Sequence, residues 1–209
     1  MTSLVRRGIL IVFEGTDGTG KSTQLQLLGH YLQDRGYSIL TTREPTEGRY
    51  GQKIRSLYMD RKQYSREEEL ELFLADRREH VRQVLAPALE QGKVILCDRY
   101  FLSTVAYQGA LGFDPEHILK LNRFAPDPDL ALLFQVPLDT GLDRITSGRG
   151  DLLNDFEQRD NLARVAAIFG AIKRPYIRPI DAGGSIAEVH RLVIECVHSL
   201  LPVFSTGRV

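Results

Sequence analysis

The chain has 209 residues, of which 43% are hydrophobic, so it can bury a substantial core and is expected to form one domain. Its 27 Lys and Arg residues balance its 27 Asp and Glu residues, which excludes a global positive field that would hold a nucleic acid polymer or an anionic membrane. Any anion must therefore be bound by a local cluster of cations.

The cysteines and the N-terminal segment indicate the expected cellular location of the protein. Cys97 and Cys196 both lie in apolar runs, which favours buried reduced thiols over a disulfide and fits a cytoplasmic location. The apolar run that follows Arg6 and Arg7 ends at Glu14, so it is too short for a signal peptide, and no run reaches transmembrane length. The histidines show no zinc-ligand spacing, so no zinc site is expected.

Apolar runs of strand length alternate with helical patterns along the chain. The predicted strands cover 8–13, 37–42, 93–98, 130–136 and 176–181. The predicted helices cover about 21–35, 66–91, 101–108, 114–123, 138–146, 157–174 and 185–200, and Gly36 and Gly92 follow the first two as C-terminal caps. Strands buried on both faces and separated by helices predict an α/β fold with a five-stranded parallel sheet flanked by helices.

The sequence also predicts how the chain is divided into a domain, a lid and a tail. No internal repeat or long linker divides residues 1–209, which are predicted to be a single domain. The polar, glycine-bearing segment at about 146–156 lies between two helices and is predicted to be a short lid. The last residues, about 203–209, are predicted to be a flexible tail.

A phosphate-binding loop follows the first strand. The residues GTDGTGKS, 15–22, have the Walker A spacing and stand between a predicted strand and a predicted helix. The glycines allow backbone N–H groups to approach phosphate oxygens, Lys21 is expected to reach the β- and γ-phosphates, and the Ser22 hydroxyl is expected to ligate Mg²⁺. The residues expected to bind ATP here are Gly15, Thr16, Asp17, Gly18, Thr19, Gly20, Lys21, Ser22 and Thr23.

The third predicted strand ends in Asp98 and Arg99, at the edge where open α/β sheets bind ligands. Asp98 is suited to Mg²⁺ or its waters, and Arg99 to bridging the donor and acceptor phosphates. An ordinary turn at the strand end is the alternative. Two other classes of P-loop protein are disfavoured. A motor ATPase would carry a second acidic residue where this chain has Arg99, and a guanine-specific GTPase would have an NKxD string, which this chain lacks.

Three further segments narrow the class. TREPTEG (42–48), FLADRREH (73–80) and DRYFLSTVAYQG (98–109), spaced as they are after FEGTDGTGKST, resemble the thymidylate kinase family from about residue 8 to 200. The resemblance implies a P-loop NTPase fold with a lid, usually a homodimer, that uses ATP and Mg²⁺ to phosphorylate thymidine monophosphate (dTMP). The alternatives are a P-loop kinase for another acceptor, such as deoxyuridine monophosphate (dUMP) or a nucleoside hydroxyl, and a nucleotide-binding regulatory subunit.

The resemblance also implies which residues hold the acceptor phosphate and sugar. Arg43 would clamp the phosphate, with Pro45 in a cis peptide bond behind it and Arg55 nearby. Asp17 would accept a hydrogen bond from the 3′-hydroxyl, which accounts for a carboxylate in an anion-binding loop. Alternatively, Pro45 is an ordinary trans proline in a loop, Arg55 is a solvated arginine on a helix, and Asp17 is an aspartate that forms a turn.

For the base, the resemblance points to two helices. Arg77 interrupts an apolar stripe one helical turn after Phe73, and the pair would stack on thymine and hydrogen-bond its O4. An internal ion pair is the alternative, since a charge in such a stripe needs a partner. On the second helix, Ser103 or Thr104 would contact the edge of the base, and Gln108 would hydrogen-bond the base. Tyr107 would exclude a 2′-hydroxyl by its bulk. The alternative is that Tyr107 only packs in the core and Gln108 only caps a backbone group.

The donor side of the site and the catalytic cations complete the expectation. Arg144 is suited to the adenine face and Arg149 to the transferring phosphate, although either could be a surface arginine. Ala182 and Gly183 would contact adenine through their backbone.

The residues expected to be catalytic are Lys21, Arg43, Arg99 and Arg149.

One segment departs from the family pattern. Many members have REPGGT where this chain has REPTEG, 43–48, so Glu47 adds a negative charge near the expected acceptor phosphate. The affinity for the acceptor is expected to depend on this residue.

Overall fold

A computed structural model describes residues 8–57, 64–149 and 159–201. Its centre is a parallel sheet with the strand order β2-β3-β1-β4-β5. The strands are β1 (Ile9–Glu14), β2 (Ile39–Arg43), β3 (Val94–Asp98), β4 (Leu130–Gln135) and β5 (Ile177–Asp181). Each falls within or one residue beyond a predicted strand, so the α/β architecture is confirmed.

Helices connect and cover these strands. They are α1 (Lys21–Gln33), α2 (Arg49–Leu57), α3 (Arg66–His80), α4 (Ala86–Glu90), α5 (Phe101–Ala110), α6 (Pro115–Leu121), α7 (Leu138–Arg149), α8 (Arg159–Ala171) and α9 (Ile186–His198). Helix α2 has no counterpart among the predicted elements. Its glycine and charged residues leave few apolar positions to reveal a period.

The long helix predicted over 66–91 is present in three parts. A π-helical turn, Val81–Leu85, separates α3 from α4, with Pro87 in the first turn of α4. Ser65 begins α3 with a capping box to Glu68, and Gly92 ends the run at φ 73°. Gly36, at φ 81°, likewise follows α1, so both predicted glycine ends are confirmed.

The three central strands, β1, β3 and β4, are buried on both faces because alternate residues point into two apolar cores. Leu10, Val12, Ile95 and Cys97 pack with α3, α5 and α8. Ile11, Phe13, Leu96 and Leu132 pack with α1 and α9. The hydrophobic runs seen in the sequence therefore correspond to strands that are covered by helices on each side.

Some predictions fall partly or wholly outside the described residues. The predicted lid, 146–156, begins within α7, but its residues 150–156 lie outside the description, as does the predicted tail, 203–209. Cys97 is buried and Cys196 is half-buried, and both are free thiols. Within the described residues, no helix combines the length and the apolar character that crossing a lipid bilayer requires.

Candidate active site

The carboxyl ends of the three central strands meet at one edge of the sheet. Phe13 of β1 lies opposite Asp98 of β3, and Asp98 lies opposite Arg43 of β2. The phosphate loop therefore starts beside Asp98 and Arg99, with Arg43 on their other side. This arrangement brings together the residues predicted for the donor phosphates, the metal and the acceptor phosphate.

The phosphate loop is seated between β4 and α7. Gly15 (φ 134°) and Gly18 (φ 76°) adopt conformations that favour glycine. A Cβ atom would lie 2.3 Å from the Phe134 carbonyl oxygen at Gly15 and 2.3 Å from the Gly141 carbonyl oxygen at Gly18. Both positions thus require glycine for the conformation and for the close approach of another backbone.

Lys21 lies within this loop rather than in solvent. Its Nζ donates to the Thr16 carbonyl oxygen at 2.6 Å, its side chain is near the Thr19 hydroxyl at 3.4 Å, and the residue is 6% exposed. Burial lowers the pKa of Lys21 to about 8, and the neighbouring Arg99 acts in the same direction. A desolvated ammonium group in this position would be stabilised by anionic oxygens entering the loop.

The two residues predicted to hold the metal are in contact, since the Ser22 hydroxyl donates to Asp98 Oδ2. Among the residues that the structure describes, no cluster of three His, Cys, Asp or Glu side chains could hold a metal ion by itself. One hydroxyl and one carboxylate fit Mg²⁺, which usually takes one or two protein ligands and completes its octahedron with water and substrate phosphate oxygens.

Asp17 is held by two side chains from beyond the loop. Arg99 Nη2 donates to its Oδ1 at 2.7 Å, and the Tyr107 hydroxyl donates to its Oδ2 at 2.7 Å. Burial would raise the pKa of Asp17, but the charges of Arg99 and Lys21 together outweigh it, so the net pKa is lower than usual. A carboxylate persists in the anion-binding loop because cations surround it.

Arg99 connects the loop to α5. Its Nη1 donates to the Gly15 carbonyl oxygen and to the Ser103 hydroxyl, each at 3.1 Å, and its backbone has a φ of 66°, which is rare outside glycine. The predicted juxtaposition of Arg99 with the phosphate loop is therefore present.

Glu14, which sequence reasoning missed, fixes the turn that carries Arg99. It is fully buried and accepts hydrogen bonds from the backbone N–H groups of Tyr100 (3.0 Å) and Ser103 (3.2 Å) and from the Ser103 hydroxyl. Burial raises the pKa of Glu14 to about 7. A glutamate directly after a wholly apolar strand was the available signal, since a buried carboxyl group there needs donors from a neighbouring segment.

Arg77 is buried in a polar network. Its Nε and Nη2 donate to Glu44 Oε2 at 2.9 and 2.6 Å, its Nη1 to Asn122 Oδ1 at 2.6 Å, and its Nη2 also to Thr104 Oγ1 at 3.0 Å. Arg77 thus has the internal acidic partner that the sequence allowed, and it also contacts the helix predicted to face the base. His80 Nδ1 lies 2.9 Å from the second oxygen of Glu44.

The segment after β2 is anchored on both sides. The Glu44–Pro45 peptide bond is cis, as predicted. Thr46 donates from its backbone N–H and its hydroxyl to the buried Asp76, at 2.9 and 2.6 Å. Glu44, Asp76, His80 and Asn122 were not predicted as site residues. Their partners lie tens of residues away in the chain, and the pattern of apolar and polar residues along the sequence does not show such distant pairings.

Arg43 and Arg55 converge on Glu47. Arg43 Nη2 donates to Glu47 Oε1, and Arg55 Nη2 donates to Glu47 Oε2 at 2.9 Å. Arg55 also donates to the carbonyl oxygens of Pro45 (3.2 Å) and Thr46 (2.7 Å). The two arginines predicted for the acceptor phosphate are thus brought together.

The predicted base-facing side chains of α5 lie mostly inside the protein. Thr104 and Gln108 are buried, and Tyr107 and Phe73 are half-buried. Gln108 Nε2 donates to Glu69 Oε1 at 2.6 Å, while Gln108 Oε1 has no hydrogen-bond partner within the described part of the chain. A buried acceptor without a donor is uncommon and marks a place where a ligand donor would be favourable.

On the donor side, Arg144 Nη1 donates to the Ala182 carbonyl oxygen at 3.0 Å, and the Gly183 N–H donates to Asp181 Oδ1 at 2.9 Å. The predicted adenine-side residues are therefore neighbours. Arg149 is the last residue of α7, and its side chain lies outside the description.

A phosphate loop that opens onto a second group of arginines, on a sheet of order 2-3-1-4-5, defines the class of P-loop kinases that act on nucleoside monophosphates. A family model described as "Thymidylate kinase" matches residues 13–193. The chain belongs to the thymidylate kinase family.

Individual relatives cover nearly the whole chain. A thymidylate kinase of Desulfotalea psychrophila is 58% identical, with 93% of this chain and 96% of that protein covered. A probable thymidylate kinase of Pyrococcus horikoshii is 41% identical, with coverage of 93% and 98%. A thymidylate kinase of Akkermansia muciniphila is 42% identical, with coverage of 94% and 95%.

Proposed function

We propose that this enzyme transfers the γ-phosphoryl group of ATP to dTMP. The observation that carries the assignment of the base is the unused hydrogen-bonding capacity of Arg77 and Gln108. Four of the five N–H donors of Arg77 have partners among the described residues, which leaves one on Nη1, and Gln108 Oε1 is a buried acceptor. Thymine offers O4 as an acceptor and N3–H as a donor, so it complements both.

Cytosine complements neither group. Its exocyclic amine would place a donor against Arg77, and its unprotonated N3 would place an acceptor against Gln108 Oε1. Leaving a buried polar group unpaired costs about 1–3 kcal/mol. Uracil presents the same two groups as thymine, so membership of the thymidylate kinase family, rather than hydrogen bonding, favours dTMP over dUMP.

The donor phosphates are assigned to the phosphate loop. Lys21 would move from the Thr16 carbonyl oxygen to the β- and γ-phosphates, where its charge is better satisfied. Thr16, Thr19, Gly20 and Thr23 belong to the same proposed ATP site. Ser22 and Asp98 would hold Mg²⁺, which, when bound, neutralises charge on the phosphate oxygens.

The acceptor phosphate is assigned to Arg43, Arg55 and Arg99. Arg99 spans from the Gly15 carbonyl oxygen to Ser103 of α5, which supports a role in bridging the donor and acceptor phosphates. The attacking phosphate oxygen is ionised at neutral pH, and no general base is required. Positioning and charge neutralisation by Lys21 and the arginines would supply the catalysis.

The sugar is assigned to Asp17 and Tyr107. Each oxygen of Asp17 accepts one hydrogen bond from the residues that the structure describes, and a carboxylate oxygen can accept two, so the 3′-hydroxyl can be added without loss of Arg99. The ring of Tyr107 would exclude a 2′-hydroxyl. Arg149, at the end of α7, is proposed to meet the transferring phosphate, and Arg144 to support the adenine side.

The oligomeric state and the cellular location are proposed from the family and from the cysteines rather than from the site. We propose a homodimer because it is usual in the family that the sequence resembles. A cytoplasmic location agrees with the two free thiols at Cys97 and Cys196.

A coupled assay of ADP release tests the proposal across dTMP, dUMP, deoxycytidine monophosphate (dCMP) and thymidine. We expect dTMP to have the highest kcat/KM, dUMP to be weaker and dCMP to be at least tenfold below dUMP. Thymidine should be inert because it lacks the phosphate that the arginines would hold. Preferential turnover of thymidine would assign a nucleoside kinase instead, and ATP binding without any turnover would assign a regulatory subunit.

A further inference from the structure

Two of the three arginines proposed to bind the acceptor phosphate, Arg43 and Arg55, are engaged by the side chain of Glu47. One carboxylate oxygen accepts from Arg43 and the other from Arg55. A carboxylate that gives one anionic oxygen to each of two guanidinium groups reproduces the contacts that a phosphate monoester would make with them. Glu47 and an acceptor phosphate would therefore compete for the same cations.

The backbone around Glu47 is held by hydrogen bonds, while its side chain is largely exposed. Asp76 holds Thr46 through two hydrogen bonds, and the Glu47 carbonyl oxygen accepts from Gln52 Nε2 at 3.1 Å. The Glu47 side chain is 70% exposed and the Arg43 side chain is 61% exposed. Rotation of the side chain can thus remove the carboxylate from the arginines without rebuilding the turn.

The two arginines depend on Glu47 to different extents. Glu47 is the only hydrogen-bond partner of the Arg43 side chain within the described residues. Arg55 keeps two backbone carbonyl partners, Pro45 and Thr46, when Glu47 leaves. Displacement of the carboxylate would release Arg43 for a new anion and leave Arg55 in place.

We infer that Glu47 occupies the acceptor-phosphate position in the unliganded enzyme and thereby sets the affinity for the nucleoside monophosphate. The inference rests on the proposed function, because it takes the acceptor to carry a phosphate. Glu47 weakens the binding of the ground state and the transition state alike, since the acceptor phosphate must displace it in both. Such a residue acts on KM and leaves kcat nearly unchanged.

The test is Glu47→Gln, which keeps the size of the side chain and removes its charge. We expect the KM for dTMP to fall about three- to tenfold, because exposed ion pairs of this kind are weak and screened by solvent. The kcat and the KM for ATP should stay within about twofold. Glu195→Gln, on α9, removes the same charge from an exposed ion pair on another part of the fold and should leave the KM for dTMP unchanged.

The failures of the two proposals are distinguishable. If the parent phosphorylates dTMP but Glu47→Gln leaves its KM unchanged or raises it, Glu47 positions the arginines for substrate and the inference is overturned. If the parent does not phosphorylate dTMP, the proposed function fails. Calorimetry with inorganic phosphate then decides the inference: tighter binding in Glu47→Gln than in the parent supports it, and equal binding overturns it.

Discussion

Arg77 and Glu44 form an ion pair whose side chains are only 1% and 5% exposed, with two guanidinium nitrogens donating to the same carboxylate oxygen. Breaking a buried pair by removing one partner leaves the other charge without compensation. We expect Arg77→Ala to lower the free energy of unfolding by about 3–5 kcal/mol, measured by urea denaturation.

The matched control for that prediction removes both charges. Adding Glu44→Gln to Arg77→Ala should recover a large part of the lost stability, because a neutral amide is easier to bury than an uncompensated carboxylate. A loss below about 1 kcal/mol in the single variant would show that water or another cation compensates Glu44.

The same double variant allows the base-reading role of Arg77 to be measured without the loss of the fold. The kcat/KM for dTMP should fall about ten- to a hundredfold relative to Glu44→Gln alone, because thymine O4 loses its donor. The value for dCMP should not fall in parallel. Equal losses for dTMP, dUMP and dCMP would mean that Arg77 holds the helix rather than contacts the base.

Lys21 should make ATP binding depend on pH. Its pKa of about 8 means that the ammonium group, which phosphates require, is lost from the free enzyme as the pH rises through 8. The dissociation constant for ATP should therefore rise about tenfold between pH 7.5 and 9, measured by calorimetry. Lys21→Arg keeps its charge over this range, so its affinity, even if weaker, should show a flatter dependence. An equal slope in both proteins would contradict this role for Lys21.

Glu14 should make stability fall as the pH rises. Its folded pKa of about 7 lies above the ordinary value of 4.5, so the folded state holds a proton that the unfolded state has released between these two values. Stability is then greatest below pH 4.5 for this group, and about 3 kcal/mol is lost by pH 7.

Glu14→Gln is the control for that dependence, because the amide oxygen can still accept from Tyr100 and Ser103 and does not titrate. The decrease in unfolding free energy between pH 5 and 7.5 should be about 2.5 kcal/mol smaller in the variant than in the parent. Parallel curves for the two proteins would show that Glu14 is already ionised at pH 5.

Tyr107→Phe separates the hydroxyl from the ring. The hydroxyl donates to Asp17 at 2.7 Å, so its loss should reduce the kcat/KM for dTMP about five- to twentyfold through a less well-held carboxylate. Discrimination against the ribonucleotide should stay within about threefold of the parent because the ring remains. A large gain in ribonucleotide turnover would assign the exclusion to the hydroxyl instead.

The sheet and the phosphate loop were predictable because their signals are local. The three central strands are short apolar runs that end at a polar residue, and the Walker A spacing is contained in eight consecutive positions between a strand and a helix. Gly36 and Gly92 mark helix ends for the same reason, since a positive φ is a property of a single residue.

The polar pairings of the site were not predictable because they join distant parts of the chain. Arg77 was recognised as a charge in an apolar stripe, yet its partner Glu44 lies 33 residues earlier and on another element. Glu14 and Asp76 are likewise explained only by donors from other segments. The π-helical turn at 81–85 does not alter the apolar stripe enough to be seen in the sequence.

Transfer of labelled phosphate from [γ-³²P]ATP to dTMP is the most direct test of the proposed function. We expect labelled thymidine diphosphate in a one-to-one ratio to ADP, and a Lys21→Ala variant that is folded but has a transfer rate at least a hundredfold lower. Label released as inorganic phosphate, or turnover in Lys21→Ala within tenfold of the parent, would contradict the proposed function.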